Sequence, residues 1–573
     1  MFSAATGEIA AESVYNDSVV FFHYDTEEGK SSLSKDSLIK GTIILAVAAL
    51  VARVLGAVQR IPLVYLLDDA GMATYSIAFN IYMMLLVVAT AGIPSALSKL
   101  VSERTALGQY EEAGRIYRAA ILFALVAGAV MTVLLFAAAP YYAQHMAKDP
   151  DASLAIRALA PALLLFPLIA IMRGYFQGRQ RMAPNGLSQI VEQIVRLAAA
   201  IGLAFLLLQI GWGHVWAVAG ASFGGVAGSV GAVLVMLYYA MKLRREDRKS
   251  GEVGNRNPSA APLGYGDIYA RIFKLSVPIV LFSLAVPLIN AIDSTITIGL
   301  LQPDLAYEAA KDALGVLGGR AQSLAGIPII LAIALSQSTV PVISAAFAKK
   351  EQTTVNAQAS KALYISVLTG LPLVLAICAA ARPINIFMFG NDEGTGIIIL
   401  LTASAIFQIV MQTSGAVLMG IGQMRPLIVH VGIGIVVKLA CSYLLAPVFG
   451  IYGIITATAL CFIVMTQLNL VVLRRHVDYT ILGRKWYGLL LTTLIVVAAG
   501  FGLEQLVHAY VQPFGYRMSA MIGGAIVGVV VLAAYAALLA LTKVVTAEDA
   551  ARFPGPLQKV LRKFVKNRKP SNG

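Results

Sequence analysis

Residues 41–67 read GTIILAVAALVARVLGAVQRIPLVYLL, an apolar run longer than the roughly 18 residues a membrane-spanning helix needs, yet one that carries Arg53, Gln59 and Arg60. A charged side chain at mid-membrane costs on the order of 2.5 to 3.5 kcal/mol, so each one needs a cavity, a partner or a snorkelling route to the interface. Arg53 and Arg60 are separated by two helical turns and share one face, which Gln59 makes still more polar. Two readings follow. Arg60 snorkels or pairs with Asp68 or Asp69, or both arginines face an internal aqueous cavity; their common face favours the cavity.

The same kind of run recurs along the chain at 72–100, 119–139, 154–172, 187–208 and 215–241, then at 272–300, 321–347, 363–380, 397–418, 427–445 and 454–473, and finally at 489–506 and 521–541. Together these predict an all-α polytopic membrane protein of about fourteen transmembrane helices. Composition agrees: of 573 residues, 58% are hydrophobic and only 13% charged, which excludes a water-soluble protein of this length. The formal charge of +14 is a topology signal and not a nucleic-acid footprint, because Lys and Arg collect in cytoplasmic loops. Basic residues crowd alternate loops (Lys99 to Arg118, Arg173 to Arg181, 242–256, Lys349 and Lys350, 474–485) and the tail 543–569, while the loops between are nearly bare. The alternation places both termini in the cytoplasm. Cys378, Cys441 and Cys461 all fall in apolar runs with no metal or redox spacing.

A faint internal repeat divides the chain. Residues 178–184 (GRQRMAP) match 420–426 (GIGQMRP) at Gly, Met and Pro, and the same offset sets Arg196 opposite Lys438. Pro94 and Lys99 likewise resemble Pro341 and Lys349. An even number of helices separates the copies, so the repeats are parallel. The expected organisation is a polar, disordered tail at 1–36, or a miscalled start; an N-lobe at 37–245; a cytoplasmic linker at 246–265; a C-lobe at 266–475; two further helices within 485–545; and a basic tail at 546–573.

Further charges lie inside the spans. Asp293, flanked by Asn290, Ser294 and Thr295, is either an ion or proton site or the partner that neutralises an arginine. Arg320 opens the eighth span, where a solvated helix end competes with a cavity role. Glu192 and Arg196 have the spacing of an intrahelical ion pair. Lys438 has no carboxylate within one turn, which leaves cavity lining or inter-lobe pairing. Cations outnumber anions in these segments, and Arg in particular suits a diphosphate, whose oxygens its planar fork can hold. Pro94, Pro278, Pro287, Pro328 and Pro341 place helix breakers in the second, seventh and eighth spans. There is no Walker A loop, HExxH or nucleophile triad, so a transporter without cofactor or resident metal is expected, its coupling ion left open. A membrane enzyme acting on lipid-linked sugars is the alternative class; it would rely on Asp149, Asp151, Asp392 and Glu393.

Several segments resemble the MurJ and stage V sporulation protein B type of lipid II flippases, within the multidrug/oligosaccharidyl-lipid/polysaccharide exporter superfamily. They are Lys40-Gly41-Thr42 leading to Arg53-Val54-Leu55-Gly56; Gly92-Ile93-Pro94 with 98–103; Arg173 to Gly178 continuing through Met182, Pro184, Ser188, Gln189, Glu192, Gln193 and Arg196; 287–293; and Gly319-Arg320. The resemblance implies two six-helix lobes around a central cavity and alternating access. It also implies an undecaprenyl-diphosphate-linked sugar as substrate, a role for the last two helices in holding the lipid tail, and Arg53, Arg60 and Arg320 as cavity arginines. Beyond the bilayer and the lipid-linked anionic sugar, proteins of wall synthesis are expected partners. A flippase for another polysaccharide repeat unit and a drug antiporter of the same superfamily are the neighbouring alternatives.

Overall fold

The computed structural model describes residues 47–249, 264–510 and 515–545, so the tails at 1–36 and 546–573 and most of the expected linker lie outside the described residues. All regular structure among the described residues is helical, as a bilayer requires of a chain that must satisfy every backbone group internally. The first lobe comprises α1 (47–58), α2 (Arg60–Thr90), α3 (Ile93–Ala106), α4 (Tyr110–Tyr141), α5 (Ala152–Leu159), α6 (Ala162–Gly178), α7 (Ala183–Gln209) and α8 (His214–Lys249). The second comprises α9 (Tyr265–Ser283), α10 (Ala285–Leu301), α11 (Tyr307–Gly315), α12 (Gln322–Ala348), α13 (Gln352–Ala379), α14 (Ala381–Phe389), α15 (Thr395–Gly420), α16 (Met424–Phe449) and α17 (Ile451–Arg474). The pair α18 (Trp486–Tyr510) and α19 (Tyr516–Leu541) packs on α13 and α14.

Among the described residues, twelve helices are long and apolar enough to cross a membrane, thirteen if the bent pair α9–α10 counts as one span. The fourteen expected from sequence differ by one stretch, Val47–Ala106, whose 60 residues form a single apolar unit by this measure. At ~1.5 Å per residue that is about three hydrocarbon thicknesses. The backbone breaks it at Asp68 (φ 56°, ψ 179°), between the first and second expected spans.

Three expected helices prove interrupted. The second ends at Thr90; Gly92 turns the chain with φ 76°, and a β-carbon there would press on the backbone of Ser276, so Pro94 starts α3 instead of kinking a continuous helix. The seventh is bent by 47° between α9 and α10, and Pro287 sits in the first turn of α10, where its missing N–H costs nothing. The eighth begins earlier than its apolar pattern suggested, with α11, and passes through a π-helical turn, Val316–Ala321, before α12.

The two lobes meet at both ends of the bundle. At the end carrying Asp69, one apolar core runs from Leu67, Met72 and Ile77 of α2 to Leu301, Leu314 and Leu317 of the second lobe. At the opposite end, where the basic loops gather, α9 lies on α3 and α4: Ile268 and Ile272 join the core of Ile93, Leu97 and Ile116, and Tyr269 Oη donates to the Ala119 carbonyl at 3.1 Å.

Candidate functional site

The break at Asp68 decides where the next residue points. With φ positive and ψ near 180°, Asp68 occupies a region almost reserved for glycine, at a cost of order 1–3 kcal/mol. It thereby sets the carboxylate of Asp69 against the second lobe. There Arg320, only 4% exposed, holds it with one edge of its guanidinium, Nε to Oδ1 at 2.9 Å and Nη2 to Oδ2 at 2.5 Å. The remaining nitrogen, Nη1, donates to Asn391 Oδ1 and to the Glu393 carbonyl, and the guanidinium lies 5.6 Å from the Phe389 ring. Arg320 is therefore not at a solvated helix end: the π turn and α11 before it carry it into the interface between the lobes.

A second clasp lies beside the first. Asp149, fully buried, accepts from Thr74 Oγ1 at 2.6 Å, Tyr307 Oη at 3.1 Å and Lys311 Nζ at 3.0 Å, while Lys311 also reaches Asp151 at 3.0 Å. Tyr142 and Thr295 share a hydroxyl contact of 2.6 Å across the same interface. Arg60 completes the set. Its Nη1 donates to the Gly318 carbonyl at 2.6 Å and to Gln322 Oε1 at 3.3 Å, and its guanidinium stands 5.8 Å from the Phe79 ring. The proposed pairing of Arg60 with Asp68 or Asp69 is thus corrected: Asp69 belongs to Arg320, and Arg60 caps a backbone carbonyl of the π turn. Gln59 is buried and donates to Tyr75 Oη at 3.4 Å.

This closure depends on bare backbone. A β-carbon at Gly315 would overlap the carbonyl of Asp69, and one at Gly318 would overlap the Ser76 hydroxyl. Gly318→Val is therefore expected to hold this end of the lobes apart while each lobe still folds. The check is faster reaction of an introduced Ser76→Cys with a membrane-impermeant thiol reagent, in a chain freed of its three native cysteines, with a melting transition retained.

The other intramembrane charges form one cluster in each lobe. In the first, Glu192 accepts from Arg173 at 3.0 Å and from Arg196 at 2.9 Å, which gives the expected Glu192–Arg196 pair and adds a third member. In the second, Lys438 pairs with Asp293 within the lobe and also donates to Thr458 Oγ1. Asp293 thus neutralises a lysine, not an arginine, and Lys438 does not pair across the lobes. Asn290 lies one turn before Ser294 on α10, partly exposed, its carbonyl accepting the Ser294 hydroxyl at 3.0 Å. Arg53 differs from all of these. It is partly exposed, and among the described residues it makes no hydrogen bond or ion pair.

Sequence reasoning missed Lys311, Arg173 and Thr458, and treated Asp69 only as a partner for Arg60. One signal was available: Lys311 is a lysine on the side whose loops are otherwise nearly free of base, a position where a buried partner is a natural explanation. Three of the four carboxylates weighed for an enzyme are otherwise engaged, Asp149 and Asp151 by Lys311 and Asp392 by Arg382 at 3.1 Å.

Residues 38–347 match the family described as polysaccharide biosynthesis protein. The chain belongs to that family. Among its relatives, lipid II flippase MurJ of Bacillus subtilis (strain 168) is 30% identical over 458 residues, 77% of this chain and 84% of the relative. Stage V sporulation protein B of the same organism is 24% identical over 539 residues, 91% of this chain and 98% of the relative. Of solved structures, an inward-facing multidrug resistance transporter of the MATE family and MOP superfamily superposes with a TM-score of 0.59 at 15% identity, over 76% of this chain and 97% of the other. That likeness establishes the fold alone. The family, the helical membrane architecture and the two-lobed fold together make this chain a multi-pass membrane transporter.

Proposed function

We propose that this chain flips an undecaprenyl-diphosphate-linked peptidoglycan precursor, lipid II, from the inner to the outer leaflet of the bacterial cytoplasmic membrane by alternating access. The observation that carries the reading is Arg53. Arg60, Arg173, Arg196, Arg320 and Lys438 all donate to protein acceptors, whereas Arg53 is a part-exposed guanidinium in a span with no partner among the described residues. A diphosphate is a fitting partner for such a group, since charge-assisted bonds to phosphate are short and about twice as strong as neutral ones.

The basic loops set the direction. With the Lys- and Arg-rich end in the cytoplasm, both termini lie there too, and the clasped end faces outward. The clasps of Arg320 with Asp69, Lys311 with Asp149 and Asp151, and Arg60 with Gly318 then close the outer gate, and release of the head group requires all three to part. The bent span supplies the movement, because both of its halves reach the first lobe, α9 on α3 and α4 and α10 on α2, while α10 is also tied to α16 and α17 through Asp293. The sugar and diphosphate cross between the lobes, and the lipid tail stays in the bilayer against α18 and α19. Beside those helices lies a cavity of 430 Å³ whose lining includes Arg382, Ile386, Glu504, Val507 and Val527.

The test is complementation of a bacterium depleted of its own lipid II flippase. Expression of this chain is expected to restore growth. Failure at normal membrane levels would move the substrate to another lipid-linked polysaccharide repeat unit, the reading that the family's description favours next.

A further inference from the structure

The buried Lys438–Asp293 pair takes no part in the gate, and its surroundings are unusual for a lysine. The side chain is fully buried, with an exposure of 0%. Its Nζ meets three oxygens of three kinds: the Ile454 carbonyl at 2.8 Å, the Thr458 hydroxyl at 2.7 Å and the carboxylate of Asp293. The ammonium donates to the carbonyl and the hydroxyl and forms an ion pair with the carboxylate. Thr458 also donates to the second carboxylate oxygen at 3.2 Å, which fixes the set. Carbonyl, hydroxyl and carboxylate oxygens converging on one point are the donor set of a hard cation site. Among the described residues, the thiol of Cys461 also lies within electrostatic reach of the pair.

We propose that this is an oxygen site for a monovalent cation whose cation the chain supplies itself, as the ammonium of Lys438. A buried ion pair is weak evidence for stability, since apolar side chains of equal volume usually serve as well; position gives this one a different use. Asp293 is on α10, the half of the bent span that packs on α2 of the first lobe, and Ile454 and Thr458 are one turn apart on α17. The cation therefore ties α10 to α16 and α17 while α9 lies on the first lobe. Arg196, at the same repeat offset, differs in pairing with Glu192 on its own helix. Resting on the transporter reading, the consequence is that this site draws nothing from a sodium gradient, because its cation never leaves.

The test uses the full chain purified in detergent, its melting midpoint followed against rising NaCl, with choline chloride holding ionic strength constant. The wild type is expected to melt at the same temperature in both salts. Lys438→Ala is expected to melt lower in choline chloride and to recover saturably with NaCl or with methylammonium chloride, and the recovery should vanish in Lys438→Ala combined with Asp293→Asn. A sodium-specific rise in the wild type would overturn the proposal, as would a Lys438→Ala midpoint that neither cation moves. If Lys438→Ala does not accumulate, Lys438→Met, which keeps the stem and loses the charge, takes its place under the same criteria, and the wild-type arm stands independently. Melting requires no substrate, so failure to rescue a flippase-depleted cell leaves these outcomes unchanged and the two readings fail separately.

Discussion

Asp69→Ala is expected to open the clasped end and abolish transport. The substitution leaves Arg320 buried with Nε and Nη2 unpaired. Removing one partner of a buried ion pair costs about 3–5 kcal/mol, because the surviving charge keeps its desolvation penalty and loses its compensation. That cost falls on the clasped state alone, since in the open state water can solvate the guanidinium. The equilibrium between the two states should shift by roughly a hundred- to a few-thousand-fold, at about 1.4 kcal/mol per factor of ten. The measurement is the rate at which Ser76→Cys, in a chain freed of Cys378, Cys441 and Cys461, reacts with a membrane-impermeant thiol reagent. Ser76 is buried behind Gly318 in the clasped state. Reaction should accelerate by about the factor of the population shift. Exchanging the charges, Asp69→Arg with Arg320→Asp, should slow it again. An unchanged rate in Asp69→Ala would mean that Lys311 and Asp149 hold the gate without help.

The clasp also marks the limit of what could be read in advance. The spans themselves were legible, because a bilayer demands long apolar runs. So was the local pair Glu192–Arg196, whose spacing on one helix is enough to join them. What the chain alone did not reveal was partnership between distant segments. Asp69 and Arg320 are 251 positions apart, and no periodicity links them. Lys438 had no carboxylate near it in sequence because its partner comes from another helix, 145 positions earlier (438 minus 293). The breaks at Asp68, Gly92 and Ser283 were hidden for a related reason. At Asp68 the two aspartates had marked only a boundary between spans, while at Gly92 and Ser283 apolar composition continues, and only the close approach of the other lobe or a change of direction reveals those breaks.

Separating the two arginines of the first span gives the second large effect. They share a helix face in sequence, yet their surroundings divide them: Arg60 is committed to the Gly318 carbonyl and Gln322, whereas Arg53 has no partner among the described residues. Arg53→Ala is therefore expected to leave the melting midpoint and the gate unchanged while transport falls by roughly 10- to 150-fold, the equivalent of losing hydrogen bonds to a charged group at about 1.5–3 kcal/mol. Arg53→Lys should recover part of the rate, since it keeps the charge but loses the planar fork that grips two phosphate oxygens at once. Arg60→Ala should behave differently. It leaves the Gly318 carbonyl without its donor, so transport loss should come with faster labelling of Ser76→Cys. Flipping of a fluorescent lipid-linked substrate in reconstituted vesicles, read beside that labelling, distinguishes the two roles. Full transport by Arg53→Ala would remove the free guanidinium from the mechanism and, with it, the main support for a diphosphate substrate.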